Sequence, residues 1–196
     1  YWFVFDYALS KCKHQFWLQN LFIVVASSIF YGWWDWRFLI LIAITSFCSW
    51  GSGLLIGRRS LEAMKREGEE AKEKNTPYTL HLTQKPNFWP RFWLISNIIL
   101  NLGILGVYKY YDFFAREFAA LLGIESDFLL LHLILPVGIS FYTFQALSYS
   151  IDVYRKLLEP THDIVAFTAF LSFFPQLVAG PIERATNLLP QFQKKR

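Results

Sequence analysis

The stretch LPVGISFYTFQALSYSIDVYR, residues 135–155, has the apolar character of a membrane helix but carries an unusual number of hydroxyl, phenol and amide groups. It has no charge before Asp152, and it lies in an uncharged run that covers residues 128–151. A run of that length can cross a hydrocarbon core, for which roughly 17 to 25 residues suffice. We therefore expect a membrane helix from about residue 128 to residue 154.

Four further uncharged runs follow the same pattern, and the composition agrees with them. Of the 196 residues, 54% are hydrophobic and 19% aromatic, and the mean hydropathy is above zero. This balance differs from that of a typical soluble domain. The sequence predicts an all-α, polytopic transmembrane protein with about five membrane segments, at 16–34, 38–57, 92–108, 128–151 and 164–182.

Charged residues assign a side of the membrane to each loop. The longest polar segment, 58–91, has more Lys and Arg than Asp and Glu, so the positive-inside rule predicts a cytoplasmic loop. The turn at 34–37, with its neighbouring Trp side chains, is then expected at the outer headgroup level. Residues 58–75 have the charge spacing of a helix, and three interpretations fit this helix: a solvated face, a lipid-surface role or a partner site.

The two ends of the chain, YWFVF and QFQKKR, complete no helix of their own. We therefore expect residues 1–196 to form a single partial membrane domain of a longer protein. The two cysteines give no disulfide framework.

The run 164–182 contains the strongest helix-breaking signal in the chain, FFPQLVAGP at 173–181. Pro175 lacks an amide hydrogen and clashes with the preceding turn, so we expect the helix to break near it. Irregular backbone at membrane depth persists only inside protein or beside a water-filled cavity. Two interpretations fit: a broken or re-entrant segment that lines a cavity, or a kinked but complete span. The tunnel-lining candidates here are Gln176, Gly180 and Pro181.

A polar stripe runs along the predicted helix 128–154, which we expect to be kinked near Pro136 and Gly138. Tyr142, Gln145 and Tyr149 recur at spacings of three and four, so they share one face. Such a stripe can join helices by hydrogen bonds worth about 0.6 to 2 kcal/mol each, or it can line a polar tunnel. The sequence leaves both interpretations open.

Other chemistry has little support. The glycines of WGSGLLIG, 50–57, lie within a predicted membrane helix and indicate close packing rather than a phosphate-binding loop. No Cys and His spacing typical of a metal site is present, so no metal is expected. The net charge of +4 is explained by the cytoplasmic loops, which gives no reason to expect a nucleic-acid partner.

Four segments, in order, carry a family resemblance. They are SSIFYGWWDWRF (27–38), NLGILGVYKYYDFF (101–114), the stretch 135–155 and SFFPQLVAGPIERATNLLPQ (172–191). Together they resemble the signature of the membrane-bound O-acyltransferase family, specifically its bacterial branch that includes alginate O-acetyltransferases. The resemblance implies a multi-pass helical enzyme of the bacterial inner membrane, built around a tunnel that joins the two faces of the bilayer.

The resemblance also implies a reaction. An acyl group, most often acetyl, passes from a cytoplasmic donor such as acetyl-CoA or another activated acyl carrier to hydroxyls of an exported polysaccharide such as alginate. Partner acetylation proteins are expected to take part, and no bound cofactor is expected. The family's catalytic histidine lies in a Trp-His motif that would fall beyond residue 196, so we expect no catalytic residue in this chain and no activity from it alone.

The histidines of this chain do not match that motif. His14, His81 and His162 lie in polar segments and are expected to be solvated. His132, in LLLHLILP, lies within an apolar run near the outer end of its predicted helix, where a titratable side chain is a candidate for function.

Three other functions remain open. Polar stripes and broken helices also occur in transporters and channels, although the two Pro-containing segments here do not resemble each other as internal repeats would. Related proteins transfer D-alanine to teichoic acid. The chain could also be a structural membrane subunit with no site of its own.

Overall fold

The computed structural model describes residues 15–73, 88–123, 130–181 and 183–193, and the regular secondary structure within them is entirely helical. The predicted all-α class is confirmed. The helices are α1 (Gln15–Trp34), α2 (Trp36–Glu73), α3 (Phe88–Leu122), α4 (Ile139–Tyr154), α5 (Ile164–Ser172), α6 (Phe174–Ala179) and α7 (Ala185–Gln193).

Two of these helices have stretches long and apolar enough to cross a membrane, at Trp36–Arg58 in α2 and Phe88–Leu122 in α3. They contain the predicted segments 38–57 and 92–108. The predicted number of about five segments is not confirmed, because no other helix in the described residues combines that length with that hydropathy. The predicted segment 16–34 forms a continuous helix, α1, and Ile164–Val178 is apolar but shorter.

A tight turn at Asp35 joins α1 to α2, where the sequence predicts one. The amide of Asp35 donates to the carbonyl of Tyr31 at 3.1 Å, and the Asp35 carboxylate accepts from the amide of Arg37 at 2.9 Å. This second bond caps α2, since it satisfies an amide that has no partner within the helix. Trp33, beside the turn, is 91% exposed, and the predicted position at headgroup level stays a prediction.

The predicted cytoplasmic loop 58–91 begins as helix. α2 continues without a break to Glu73, and Arg58 pairs with Glu62 one turn later at 3.2 Å. The structure therefore confirms the prediction that the first part of this segment is helical. Residues 74–87 lie outside the described part of the chain.

The helix that carries the polar stripe is shorter than predicted. α4 begins at Ile139, and the described residues that precede it, 130–138, are not helical. Gly138 has a φ of 75°, a left-handed conformation that costs glycine little, and it follows soon after Pro136, which has no amide to donate. The prediction of a kinked helix from residue 128 is therefore wrong, because the helix begins where the kink was expected.

The predicted break in the segment 164–182 is confirmed. α5 ends at Ser172, Phe173 leaves helical geometry with ψ of 95°, and α6 begins at Phe174. Pro175 lies in the first turn of α6, where amides have no helical partner and a missing one is tolerated. The break thus falls two residues before the proline.

The chain from α5 to α7 leaves one end of the bundle and returns to it. The Nε2 group of Gln193 donates to Oγ1 of Thr161 at 3.0 Å, so the two ends of this segment meet. Between them, α6 packs on Gly138, whereas the amide of Ala185 donates to Oγ of Ser148 at 3.2 Å. Gly138 immediately precedes α4, and Ser148 lies ten residues further along, roughly 15 Å away. α6 is therefore the far point of a helical loop.

Two glycines allow α2 to approach its neighbours closely. A Cβ at Gly53 would overlap the ring of Tyr149, and a Cβ at Gly57 would overlap the ring of Pro160. Small residues at helix contacts are typical of membrane proteins. The close-packing prediction is confirmed at these two positions and not at Gly51, where a Cβ would meet nothing within 4 Å.

Candidate functional site

The predicted polar stripe lies on α4 and faces the interior of the bundle. Tyr142, Gln145 and Tyr149 are all at most 1% exposed. α4 packs against both α2 and α3, which supply much of the wall around the stripe. The three side chains therefore share a buried face, but their polar atoms have different surroundings.

Tyr149 is bonded within the chain. Its phenol oxygen accepts a hydrogen bond from the amide of Thr161 at 3.1 Å, and its ring packs against Phe167 with 4.6 Å between ring centroids. On another side the ring covers Gly53. Tyr149 thus links α4 to α2, to α5 and to the segment that precedes α5, which is the behaviour of a packing residue.

Tyr142 and Gln145 are not bonded in this way. The Tyr142 hydroxyl and the Gln145 Oε1 atom are buried and have no hydrogen-bond partner among the described residues, and the same holds for the Tyr31 hydroxyl. A buried polar group without a partner costs about 1 to 3 kcal/mol, so native proteins normally satisfy such groups with protein or water. These three atoms therefore have unused hydrogen-bonding capacity inside the bundle.

Asp152 extends the same stripe, three residues after Tyr149, and the sequence analysis missed it. It is 5% exposed, and its Oδ2 atom has no hydrogen-bond partner in the described residues. The signal was present in the sequence, because Asp152 ends an otherwise uncharged run at stripe spacing. Its charge was instead taken to mark the end of the membrane segment.

The candidates of the broken segment form a separate, local arrangement. Gln176 Nε2 donates to the carbonyl of Pro181 at 3.1 Å, and the amide of Gly180 donates to the carbonyl of Gln176 at 2.8 Å. A Cβ at Gly180 would lie 2.8 Å from the Cα of Gln176, so only glycine fits there. Gln176 is buried, and Pro181 is exposed. Among the described residues no hydrogen bond joins this group to the stripe on α4.

A second buried polar cluster joins α2, α3 and α4 and was also missed. Asn97 Nδ2 donates to Ser150 Oγ at 2.7 Å, and Ser49 Oγ donates to Asn97 Oδ1 at 3.2 Å. Asn101 Nδ2 donates to Asn97 Oδ1 at 2.9 Å and to Ser49 Oγ at 3.2 Å. The sequence signal was two Asn residues four apart in an apolar run. This cluster binds three helices together.

We expect Asn97→Leu to lower the free energy of unfolding by about 2 kcal/mol, since three buried hydrogen bonds are lost at about 0.6 kcal/mol or more each. Unfolding of the complete gene product in mixed micelles, titrated with denaturing detergent, measures this change. Asn187→Leu is the control, because Asn187 is an exposed amide on α7. Equal effects of the two substitutions would contradict a stabilising role for the cluster.

His132 lies elsewhere than predicted. It belongs to the non-helical segment before α4, is exposed and has a φ of 46°. Next to it, the amide of Leu131 donates to the Asp112 carboxylate at 2.9 Å. The position near the end of a membrane helix is therefore wrong, and its suggested functional role stays a prediction. His14 and His81 lie outside the described residues.

No metal centre is visible in the part of the chain that the structure describes, where no group of three or more His, Cys, Asp or Glu residues could hold an ion.

The packed apolar helices and the buried polar stripe define a helical membrane protein. A probable alginate O-acetylase AlgI of Pseudomonas aeruginosa is 34% identical over 180 residues, which cover 90% of this chain and 30% of that protein. The corresponding protein of Azotobacter vinelandii is 32% identical over 192 residues, covering 96% of this chain and 33% of that protein. A peptidoglycan O-acetyltransferase of Helicobacter pylori is 32% identical over 200 residues, and the match covers 90% of this chain and 33% of that protein.

The chain is homologous to these O-acetylases, in agreement with the resemblance carried by its four sequence segments. It spans about a third of the length of the curated relatives it matches. No family model and no solved structure matches it.

Proposed function

We propose that this chain is part of a membrane O-acetyltransferase that transfers an acetyl group to hydroxyls of an exported polysaccharide. The observation that carries the proposal is the 32 to 35% identity to curated O-acetylases across at least 90% of the chain. Two of the relatives named above differ in acceptor, alginate in one case and peptidoglycan in the other, so the proposal specifies a polysaccharide and not its identity.

The stripe on α4 supplies polar groups in a site from which water is excluded. In acetyl transfer the acceptor oxygen attacks the acetyl carbonyl, the bond to the leaving group of the donor breaks, and the hydroxyl proton leaves with a base. Hydrogen-bonding groups fixed beside these atoms stabilise the developing charge more strongly in a water-poor site than in solution. The Tyr142 hydroxyl can donate a hydrogen bond to the developing oxyanion, whereas Gln145 Oε1 only accepts and can orient the acceptor hydroxyl. The base itself is expected outside this chain.

The other tunnel candidates have wall and support roles in this proposal. Tyr149 contributes its ring and holds the segment before α5, because its hydroxyl is already bonded. Gln176 fixes the turn at Gly180 and Pro181. Asp152 adds a buried carboxylate to the stripe.

The path of α5, α6 and α7 supports a re-entrant segment. A segment whose ends meet through Thr161 and Gln193 can enter the bilayer and return to the same side. This arrangement keeps the basic residues after α7 on the cytoplasmic side, in agreement with the positive-inside rule.

The complete protein is proposed to lie in the bacterial inner membrane, to cross it several times and to take its acetyl group from a cytoplasmic donor such as acetyl-CoA. Partner acetylation proteins are proposed to act on the outer side. A transport function would also use unsatisfied polar groups inside a bundle, but the relatives are named as acetylases.

The test is to express the complete gene in a strain that makes alginate but lacks its own acetylase. Acetyl esters on secreted alginate are measured by nuclear magnetic resonance, and acetyl esters on peptidoglycan fragments by mass spectrometry. We expect esters on one of the two polymers and none with an empty vector. Correct membrane insertion without ester on either polymer would overturn the proposal and favour transport.

A further inference from the structure

Two clefts flank His162, where the segment 155–163 crosses the end of α2. The larger one has a volume of about 690 Å³, and Leu54, Leu55, Arg58 and His162 contribute to its walls. The smaller one, of about 450 Å³, lies on the other side of His162 and includes Lys156. Neither cleft takes part in the site on α4.

The crossing segment is held in place, so the clefts are built features of the fold. The ring of Pro160 packs on Gly57 of α2, and the amide of Thr161 donates to the Tyr149 hydroxyl at 3.1 Å. Immediately after His162, the carboxylate of Asp163 caps α5 by accepting from the amide of Val165 at 2.8 Å. The backbone on both sides of His162 is therefore anchored.

The larger cleft changes along α2 from an apolar wall to a polar end, where Arg58 and Glu62 form an ion pair. Leu54 and Leu55 belong to the apolar membrane stretch of α2, which ends at Arg58. Arg58 is one helical turn beyond Leu54 and Leu55, and both it and His162 line the cleft. The Nε group of Arg58 donates to the Glu62 carboxylate at 3.2 Å, which orients a side chain that stays 79% exposed.

An amphipathic molecule with one anionic group fits a cleft that has an apolar wall at one end and the Arg58 guanidinium at the other. Basic pockets between membrane helices bind lipid headgroups, and a guanidinium matches the geometry of phosphate oxygens. A ligand with several phosphates fits less well, because Glu62 and Glu159 also line the two clefts. The apolar wall has no role with a free phosphate ion, whereas it suits an acyl chain.

We propose that the larger cleft binds an anionic glycerophospholipid from the leaflet at the Arg58 end of α2. One acyl chain lies against Leu54 and Leu55, and the phosphate contacts Arg58 and His162. The bound lipid seals the junction between α2 and the segment 155–163 against the surrounding bilayer.

Native mass spectrometry of the complete protein, titrated with phosphatidylglycerol in detergent, measures the affinity. We expect Arg58→Gln to weaken binding of one lipid about tenfold or more, since a hydrogen bond to a charged group is lost. Arg116→Gln is the control for charge, because Arg116 is an exposed cation on α3. This control should leave the affinity unchanged.

A second variant tests the cleft by filling it. Gly51 lines the larger cleft, and a Cβ added there meets nothing within 4 Å, so Gly51→Leu fills the space without a clash at its Cβ. Gly103→Leu on α3 is the matched control, since a Cβ there also meets nothing within 4 Å. We expect Gly51→Leu to abolish high-affinity lipid binding and Gly103→Leu to leave it unchanged.

Three results would overturn the proposal. They are unchanged lipid affinity in both Arg58→Gln and Gly51→Leu, equal weakening by each variant and its control, or displacement of the lipid by coenzyme A at equal concentration. The last result would assign the cleft to a soluble phosphate-bearing ligand.

Discussion

Gly53→Ala is expected to lower the free energy of unfolding by about 2 to 4 kcal/mol. The new Cβ would lie 2.7 Å from the Tyr149 phenol oxygen and closer still to its ring. Tyr149 then has to move, and it cannot do so without loss of its hydrogen bond from the Thr161 amide and of its contact with Phe167. The substitution therefore loosens α2, α4 and the segment before α5 at once.

Gly51→Ala separates this clash from the general effect of alanine in a helix. A Cβ at Gly51 meets nothing within 4 Å, and alanine favours a helix by about 1 kcal/mol over glycine, so stability should stay constant or rise. Detergent-induced unfolding of the complete protein measures both variants. Tyr149→Ala should remove most of the added cost of Gly53→Ala in a double-mutant cycle. Equal stability of the Gly51 and Gly53 variants would contradict the close contact.

The parts of the fold that were predicted correctly depend on local chemistry. The break between α5 and α6 follows from Pro175, whose missing amide acts on its own turn wherever the segment lies. The turn at Asp35 and the helical start of the segment 58–91 are likewise determined by residues close to each other in the sequence.

The start of α4 was predicted wrongly because an apolar run does not distinguish helix from extended chain. Residues 130–138 continue the hydropathy of α4 without its backbone, and Gly138 adopts a left-handed conformation that composition alone does not reveal. The predicted number of membrane segments is not confirmed: α4 and α5 are shorter than the uncharged runs 128–151 and 164–182, and in its described residues α1 does not combine the length of a span with the required hydropathy.

Spacing predicted which candidate residues share a face but not what each one contacts. Tyr142, Gln145 and Tyr149 lie together on the buried face of α4, as their spacing indicates. Their partners come from distant parts of the chain, so the bond of Tyr149 to Thr161 and the lack of one at Tyr142 became visible only in the folded structure. The hydrogen-bonded cluster around Asn97 was missed for the same reason.

Tyr142→Phe is expected to leave the stability of the complete protein unchanged or to raise it by about 1 kcal/mol, and at the same time to lower polysaccharide acetylation at least tenfold. The stability part follows because the Tyr142 hydroxyl is buried without a partner in the described residues, and its removal abolishes a desolvation cost. The activity part follows from the proposed role of that hydroxyl, since one lost hydrogen bond of about 1.4 kcal/mol in the transition state is a tenfold change in rate.

Two tyrosines on α4 provide the comparison. Tyr149→Phe should lower stability by about 1 kcal/mol, because the Thr161 amide loses its acceptor. Tyr154→Phe removes an exposed phenol from the same helix and should change neither stability nor acetylation. The measurements are detergent-induced unfolding and the amount of acetyl ester on the secreted polymer, with expression levels matched.

The same three variants distinguish the two interpretations that the sequence leaves open for the stripe. If Tyr142 joins helices, Tyr142→Phe lowers stability as Tyr149→Phe does, and acetylation falls only as far as the amount of folded protein falls. If Tyr142 faces a polar tunnel, stability and activity change independently, because the hydroxyl then contacts the reacting molecules rather than the protein. A native protein keeps a buried hydroxyl without a partner only where another need outweighs its cost. Loss of acetylation with unchanged stability would indicate that the Tyr142 hydroxyl is kept for the acetyl-transfer reaction.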